Sequence, residues 1–203
     1  MSRRPKSNPG NYVSHPRYGT EPIPSGYKVD EDTIRRGHWR LSDDRIFPET
    51  VLPANTENQN YALYPRKYYV DIERICRTCH RPFLFFAKEQ RYWFETLRFF
   101  VDADCVFCPQ CRRASRAIQR RLRRYSDLYA NPAPSRKDLM FMVDDAVFLV
   151  EHGVLKNLSN VGAMKNRAAK AISEYPGLER LCAVLKAART QTDSKQPNHG
   201  FGE

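Results

Sequence analysis

The sequence has no apolar run that approaches the ~20 residues needed to cross a bilayer, which argues against a membrane-spanning helix. Charges at the N-terminus have no apolar segment behind them, so we expect no secretory signal. Only 9 of 203 residues are glycine, and none of them builds a phosphate-cradling loop. Hydrophobic residues make up 41%, with a mean hydropathy of -0.68. We therefore predict a cytoplasmic protein without one large core.

Acidic residues are scarce in the middle of the chain. The whole sequence has a net charge of +11, and residues 76–125 carry 12 Lys or Arg against four acidic residues, a net of +8. The segments on either side of these fifty residues are close to neutral. Four closely paired cysteines lie in the same fifty residues. This local excess of positive charge favours an anionic partner.

Long periodic apolar segments are missing from the first third of the chain. Residues 1–65 hold eight of the 14 prolines, and their composition is typical of turns and extended backbone. We predict an irregular or disordered N-terminal arm over residues 1–65. The arm is expected to be ordered only where an aromatic residue such as Tyr18 or Trp39 packs.

Two C-x2-C pairs, Cys76/Cys79 and Cys108/Cys111, are separated by 28 residues. A two-residue insert forms a tight turn that brings two thiolates to one metal ion, about 2.3 Å from each sulfur. Two such turns complete a tetrahedral shell and leave no open position for a substrate. The spacing therefore predicts one structural Zn²⁺ bound by these four cysteines.

The cysteine pattern allows other assignments. Two disulfides are the main alternative, but paired C-x2-C motifs in an intracellular chain more often bind metal. Cys105 extends the second pair to a C-x2-C-x2-C run, in which Ser115 stands where an iron–sulfur pattern requires a further cysteine. Cys105 and His80 are therefore ranked below the four cysteines as zinc ligands. Cys182, on an apolar helix face, is expected to be a small buried residue.

The zinc motif comes with a specific set of neighbours. The first pair is followed by His80-Arg81-Pro82-Phe83-Leu84-Phe85, then Glu89-Gln90, Tyr92-Trp93 and a closing Cys108-Pro109-Gln110-Cys111-Arg112-Arg113. This combination resembles a bacterial zinc-ribbon family known as probable zinc-ribbon domain proteins, over residues 70–115. The resemblance implies zinc binding and little else. His80 departs from the small residue, often glycine, that the family pattern has after its first pair.

Nine aromatic residues lie between the two cysteine pairs. A metal module of this size needs large side chains to build a core, which explains most of them; one or two could instead stack on unpaired bases. Pro82–Phe86 is typical of a strand, and residues 89–100 of a short helix or a hairpin return. Glu89 and Gln90 have no partner carboxylate or open metal position, so we expect structural hydrogen bonding rather than acid–base catalysis.

Residues 112–129 form a helical pattern with two faces. An apolar stripe contains Ala114, Ile118, Leu122, Tyr125 and Tyr129. Opposite it, six arginines fall on an arc of about 120°: Arg112, Arg113, Arg116, Arg120, Arg123 and Arg124. Guanidinium groups suit bidentate phosphate recognition, so these six are the candidate nucleic-acid contacts. A solvated face and an acidic protein partner are the alternatives.

The predicted fold class is α+β. We expect a zinc-ribbon or treble-clef module over residues 66–130, a bundle of three amphipathic helices over 135–191, and a disordered tail over 192–203. In the bundle, Ser135 is the expected cap of a helix that starts at Arg136. The module is treble-clef-like if the arginine-rich helix supplies the last two zinc ligands. A flat ribbon of two hairpins is the alternative.

The function predicted from these features is nucleic-acid binding, to DNA or RNA backbone, by a zinc-stabilised module. The alternative is a non-catalytic adaptor whose basic helix docks on an acidic partner, with residues 135–191 binding another protein. An enzyme is disfavoured because the five histidines form no cluster and a four-cysteine zinc has no open position. Neither a membrane nor a small-molecule substrate is expected as a partner.

Overall fold

The computed structural model describes residues 11–193, with side chains as far as Thr190. It contains a three-stranded sheet and six α-helices, with short 3-10 and π segments between them. The chain divides into two compact units, the first ending at Ala114 and the second beginning at Ser115. Among the described helices, none combines the length and the apolar character that a membrane span requires. The predicted tail beyond Asp193 lies outside the described residues.

The sheet of the first unit has the antiparallel order β1-β2-β3, formed by Ile46–Pro53, Tyr68–Ile75 and Pro82–Phe85. β1 and β2 pair at both of their ends, but the register shifts between Phe47 and Leu52. At this irregularity the Thr50 hydroxyl accepts a hydrogen bond from the backbone N–H of Asp71 at 2.8 Å. A side-chain oxygen thus replaces a backbone acceptor where β1 bulges.

Residues 11–65 differ from the irregular arm predicted for this segment. They contain β1 and the helix α1 (Glu31–Arg36), whose N-terminus is capped by the Asp30 carboxylate. Tyr12 and Val13 are buried, and the Val13 N–H donates to the carbonyl of Pro82, the first residue of β3, at 2.8 Å. The described part of the arm is therefore part of the first unit's core. The sequence did not reveal this because its buried residues occur alone or in groups of two or three, with no helical or strand period, among prolines and exposed residues.

Two short helical segments follow the sheet. α2 (Ala87–Arg91) continues into a π-helical turn, Tyr92–Thr96. Gln90, fully buried in α2, donates its side-chain amide to the carbonyls of Val70 at 2.6 Å and Phe85 at 2.8 Å. This amide ties α2 to strands β2 and β3, which confirms a structural role for Gln90.

The second unit is helical. α3 (Pro109–Ala130) starts in the first unit and ends in the second, and is followed by α4 (Arg136–Glu151), α5 (Leu158–Ala169) and α6 (Pro176–Asp193). At the start of α4, Ser135 and Asp138 form a capping box, which confirms the prediction that Ser135 caps this helix. The α+β class is confirmed. The predicted division near residue 130 differs from the observed one, because α3 is shared by the two units.

Candidate metal centre and the arginine helix

The loop between β2 and β3 carries the first cysteine pair. Its ends are closed by two backbone hydrogen bonds, from the Cys76 N–H to the Arg81 carbonyl and from the His80 N–H to the Cys76 carbonyl, both 3.0 Å. His80 adopts a left-handed backbone conformation, with φ of 56°. A non-glycine residue rarely adopts this conformation, so His80 stands at a backbone position that favours glycine.

The second pair lies at the start of α3, with Cys108 just before the helix and Cys111 in its first turn. The backbone N–H of Cys108 donates to the Cys76 sulfur at 3.3 Å, and that of Cys111 donates to the Cys108 sulfur at 3.5 Å. The two pairs are thus joined through their backbone as well as through their sulfurs. Hydrogen bonds to sulfur favour the thiolate form, which is the form that binds metal.

The four sulfurs have the geometry of a tetrahedral zinc site. All lie within 4.8 Å of one another, and the Cys79 and Cys108 sulfurs are 3.8 Å apart. A tetrahedron with metal–sulfur bonds of about 2.3 Å requires about 3.8 Å between ligand sulfurs. A disulfide requires about 2.05 Å, and all four cysteines are free. The cluster therefore fits one structural zinc ion, as the spacing predicted.

Electrostatics in the cluster also indicate a cation. Burial and the neighbouring sulfurs raise the pKa of Cys111 to about 12 and raise that of Cys108 as well. Burial also opposes ionisation of Cys76, but three backbone N–H groups outweigh it and lower its pKa to about 6. Four thiolates so close together repel one another unless a divalent ion neutralises them, so metal binding and deprotonation are coupled here.

The alternative ligands lie outside this cluster. Cys105 is 1% exposed in the core around the cysteines, and burial raises the pKa of its thiol to about 12. The backbone of His80 shapes the loop between β2 and β3, but its side chain is exposed and is not part of the cluster. Cys182 is in α6 of the second unit and is partly exposed, so the expectation that it is buried was wrong.

A helix that follows the second pair and supplies the last ligand distinguishes a treble clef from a flat ribbon of two hairpins. α3 has this arrangement. Residues 70–120 match a family model described as a probable treble clef domain. The match covers about a quarter of the chain, including both cysteine pairs and the first half of α3. Neither the curated proteins nor the solved structures contain a match to this chain.

Glu89 links the treble clef domain to the N-terminal segment. Its carboxylate accepts a hydrogen bond from Arg112 of α3 at 2.7 Å, and its other oxygen is 3.6 Å from His15 Nε2. Burial raises the pKa of Glu89, but the nearby His15 and the hydrogen bond from Arg112 outweigh it, so the net pKa is below normal. The Arg112 guanidinium also lies 5.1 Å from the Trp93 ring centre. Glu89 is therefore held ionised as a structural partner.

Two further arginines of α3 are bound within the second unit. Asp145, fully buried in α4, accepts from Arg124 Nε at 2.6 Å and Nη2 at 2.7 Å, and from Arg121 Nη1 at 3.1 Å. The Arg121 and Arg124 guanidiniums also lie over the rings of Phe148 and Phe141. Asp145 was not among the residues predicted from the sequence. Its signal was the Asp144-Asp145 pair inside the otherwise apolar run Met142–Val150, where a buried charge is expected only with a partner.

The six candidate nucleic-acid contacts thus separate into two groups. Arg112 and Arg124 are bound to carboxylates of the same chain. The other four are exposed and form no ion pair or ring contact within the described residues: Arg113 in the first unit, and Arg116, Arg120 and Arg123 in the second.

Proposed function

We propose that this protein binds the phosphate backbone of nucleic acid through the exposed arginines of α3. The supporting observation is the arrangement of Arg116, Arg120 and Arg123, which we call the arginine stripe. Their side chains leave the helix within an arc of about 60° and span about 10 Å along its axis. With no carboxylate bound to them in the described part of the chain, their positive potential is directed to solvent.

The arginine stripe suits phosphate more than general solubility. Like charges three and four residues apart cost roughly 0.2–0.5 kcal/mol per pair in an isolated helix, and interspersed glutamates would avoid this cost. A guanidinium presents a rigid fork of donors that matches two phosphate oxygens. Arg124 shows the same chemistry within the chain, where its Nε and Nη2 donate to the two oxygens of Asp145. A phosphate oxygen pair would occupy the equivalent position on the stripe.

The role we assign to zinc is structural. Cys111 lies in the first turn of α3, and Arg112 beside it is held by Glu89. Metal binding therefore fixes the start of the helix that carries the arginines. With four cysteine ligands there is no open coordination position, so the proposed function is non-catalytic.

The proposal is tested by fluorescence anisotropy with mixed-sequence duplex DNA and single-stranded RNA between 50 and 200 mM salt. Three or four phosphate contacts predict a slope of log K against log salt of about −3 to −4 for duplex DNA. Replacing Arg116, Arg120 and Arg123 with alanine should abolish binding at 50 mM salt while one zinc per chain is retained. A matched control, Arg136→Ala, Lys156→Ala and Lys170→Ala, removes the same charge from exposed positions elsewhere in the second unit.

Equal loss of binding in the stripe variant and the control would overturn the assignment to α3, as would undetectable binding by the wild-type chain at 50 mM salt. Asp127 is exposed one turn beyond Arg123, so a substitution there can add positive charge to the stripe instead of removing it. Asp127→Lys extends the stripe by one cation and should steepen the salt slope by about 0.9.

A competition experiment distinguishes nucleic-acid binding from the adaptor alternative. Poly-glutamate has the negative charge of an acidic protein surface without phosphate groups. If the stripe recognises phosphate, poly-glutamate of equal charge should displace labelled RNA only at much higher concentrations than unlabelled RNA does. Equal displacement by the two polymers would favour docking on an acidic partner.

A further inference from the structure

A groove in the second unit lies between α5 and α6, whereas the arginine stripe is on α3. Its volume is about 240 Å³. Three cations line it: Lys165 of α5, and Lys186 and Arg189 of α6. Asn166 also lines the groove. No acidic residue of the described chain is among those that line the groove, and none of the three cations forms an ion pair there.

Two of these cations reach across the groove in opposite directions. The Lys165 ammonium is 3.5 Å from the Cys182 sulfur of α6. The Arg189 Nη2 lies 3.6 Å from the position that a Cβ on Gly162 of α5 would occupy. The guanidinium therefore lies against α5 at Gly162, at the distance of an ordinary van der Waals contact from that Cβ position. The cations therefore face a shared space rather than separate regions of solvent.

We propose that this groove is a binding site for a phosphate group, held by Lys165, Lys186 and Arg189. Like charges that share a groove repel one another, and an anion between them removes this cost. An ammonium and a guanidinium together supply the donors that phosphate oxygens accept. The volume exceeds that of a phosphate ion and leaves room for the group that carries it. The groove and the arginine stripe share no residue, so the proposal for one can be overturned while the proposal for the other holds.

Cys182 provides a reporter inside the groove. It is partly exposed, whereas Cys105 is buried and the other four cysteines form the zinc cluster. In the zinc-loaded full chain we expect Cys182 to react first with a thiol reagent, which peptide mass spectrometry verifies. Inorganic phosphate bound beside Lys165 should slow this reaction. A site with Kd near 2 mM predicts about a tenfold decrease in rate at 20 mM phosphate, measured against sodium chloride of equal ionic strength.

Two variants remove the site by different means. Lys186→Ala with Arg189→Ala deletes two of its cations, and Gly162→Asp places a carboxylate beside Arg189 while keeping all three. Both should lose the protection by phosphate, and Lys170→Ala, an exposed cation just beyond α5 that does not line the groove, should keep it. Absence of protection in the wild-type chain, or protection that persists in both site variants, would overturn the proposal. Far-UV circular dichroism verifies that each variant is folded.

The source of the phosphate is decided by two further probes. A phosphate monoester such as ribose 5-phosphate supplies a dianion, and a single-stranded oligonucleotide without terminal phosphates supplies only phosphodiesters. Protection by the oligonucleotide, retained in the arginine stripe variant, would assign the groove to a nucleic-acid backbone. Protection by the monoester alone would assign it to a small phosphorylated ligand.

Discussion

The two units build their cores differently. In the second unit, fifteen buried residues from α3 to α6 form one continuous cluster. In the first, the buried residues fall into three separate clusters, and the largest contains Cys76, Cys105 and Cys108. A core divided in this way buries less apolar surface around any one point, so a metal ion has more to contribute. Zinc should therefore be essential for the first unit and dispensable for the second.

The largest expected effect is therefore the removal of zinc. Cys76→Ser with Cys79→Ser should unfold the sheet while α4–α6 stay folded, because structural zinc contributes on the order of 10 kcal/mol to the state that binds it. Hydrogen exchange followed by mass spectrometry measures this as lost protection in β2 and β3 and retained protection in α4. Cys182→Ser is the matched control and should keep both zinc and protection. Protected β2 amides in the double variant would show that the sheet does not need the metal.

The reciprocal prediction concerns the helical core. Leu181 is fully buried in α6. Replacing it with alanine should lower the free energy of unfolding by about 2–5 kcal/mol, because apolar contacts are lost and a cavity is left behind. Far-UV circular dichroism should show a lower denaturation midpoint, with zinc still at one per chain. Both tryptophans, Trp39 and Trp93, lie in the first unit, so tryptophan fluorescence reports on that unit. An equal shift of the fluorescence midpoint would show that the two units unfold together.

A pH dependence should also distinguish the units, because of a buried histidine in the first. Burial, aided by the nearby Arg66, lowers the pKa of His38 to about 4. The folded state therefore favours the neutral imidazole, and this contribution to stability is complete above pH 6.5 and lost as pH falls towards 4. The loss at pH 5 is about 2 kcal/mol.

His38→Asn isolates this effect from the protonation of the cysteines. An asparagine side chain can still accept the hydrogen bond that His38 Nδ1 receives from the Arg40 N–H. The difference in unfolding free energy between wild type and variant, followed by tryptophan fluorescence, should shift in favour of the variant by about 2 kcal/mol between pH 7 and pH 5. A difference that does not change with pH would show that His38 is not held neutral.

The parts of the fold that the sequence predicted were those fixed by local chemistry. Ser135 as a helix cap, the strand at Pro82 and the zinc ligands each follow from a few neighbouring residues. β1 was missed because Pro48 and Pro53 interrupt its pattern, and its pairing depends on the Thr50 hydroxyl, 21 residues away from Asp71. A contact of that kind has no signature in local sequence.

The arginine helix shows the same limit at the candidate site. Helical periodicity placed the six arginines on one face, and no local pattern separated Arg112 and Arg124 from the rest. Their carboxylate partners lie 23 residues before and 21 residues after them in the chain. The separation into bound and exposed arginines is therefore a property of tertiary structure.

The smallest expected effect lies in the zinc loop itself. His80 has φ of 56°, which costs a non-glycine residue roughly 1–2 kcal/mol. Glycine avoids this strain but loses about 0.5–1 kcal/mol of chain entropy on folding, so His80→Gly should stabilise the first unit by about 0.5–1 kcal/mol with one zinc retained. Arg98, at φ of 54°, is the comparison, because its side chain donates to the Asn58 carbonyl at 3.1 Å. Arg98→Gly loses that hydrogen bond and should not stabilise the first unit. Tryptophan fluorescence in denaturant measures the stability of both variants. An equal gain in the two would show that backbone strain alone decides the outcome.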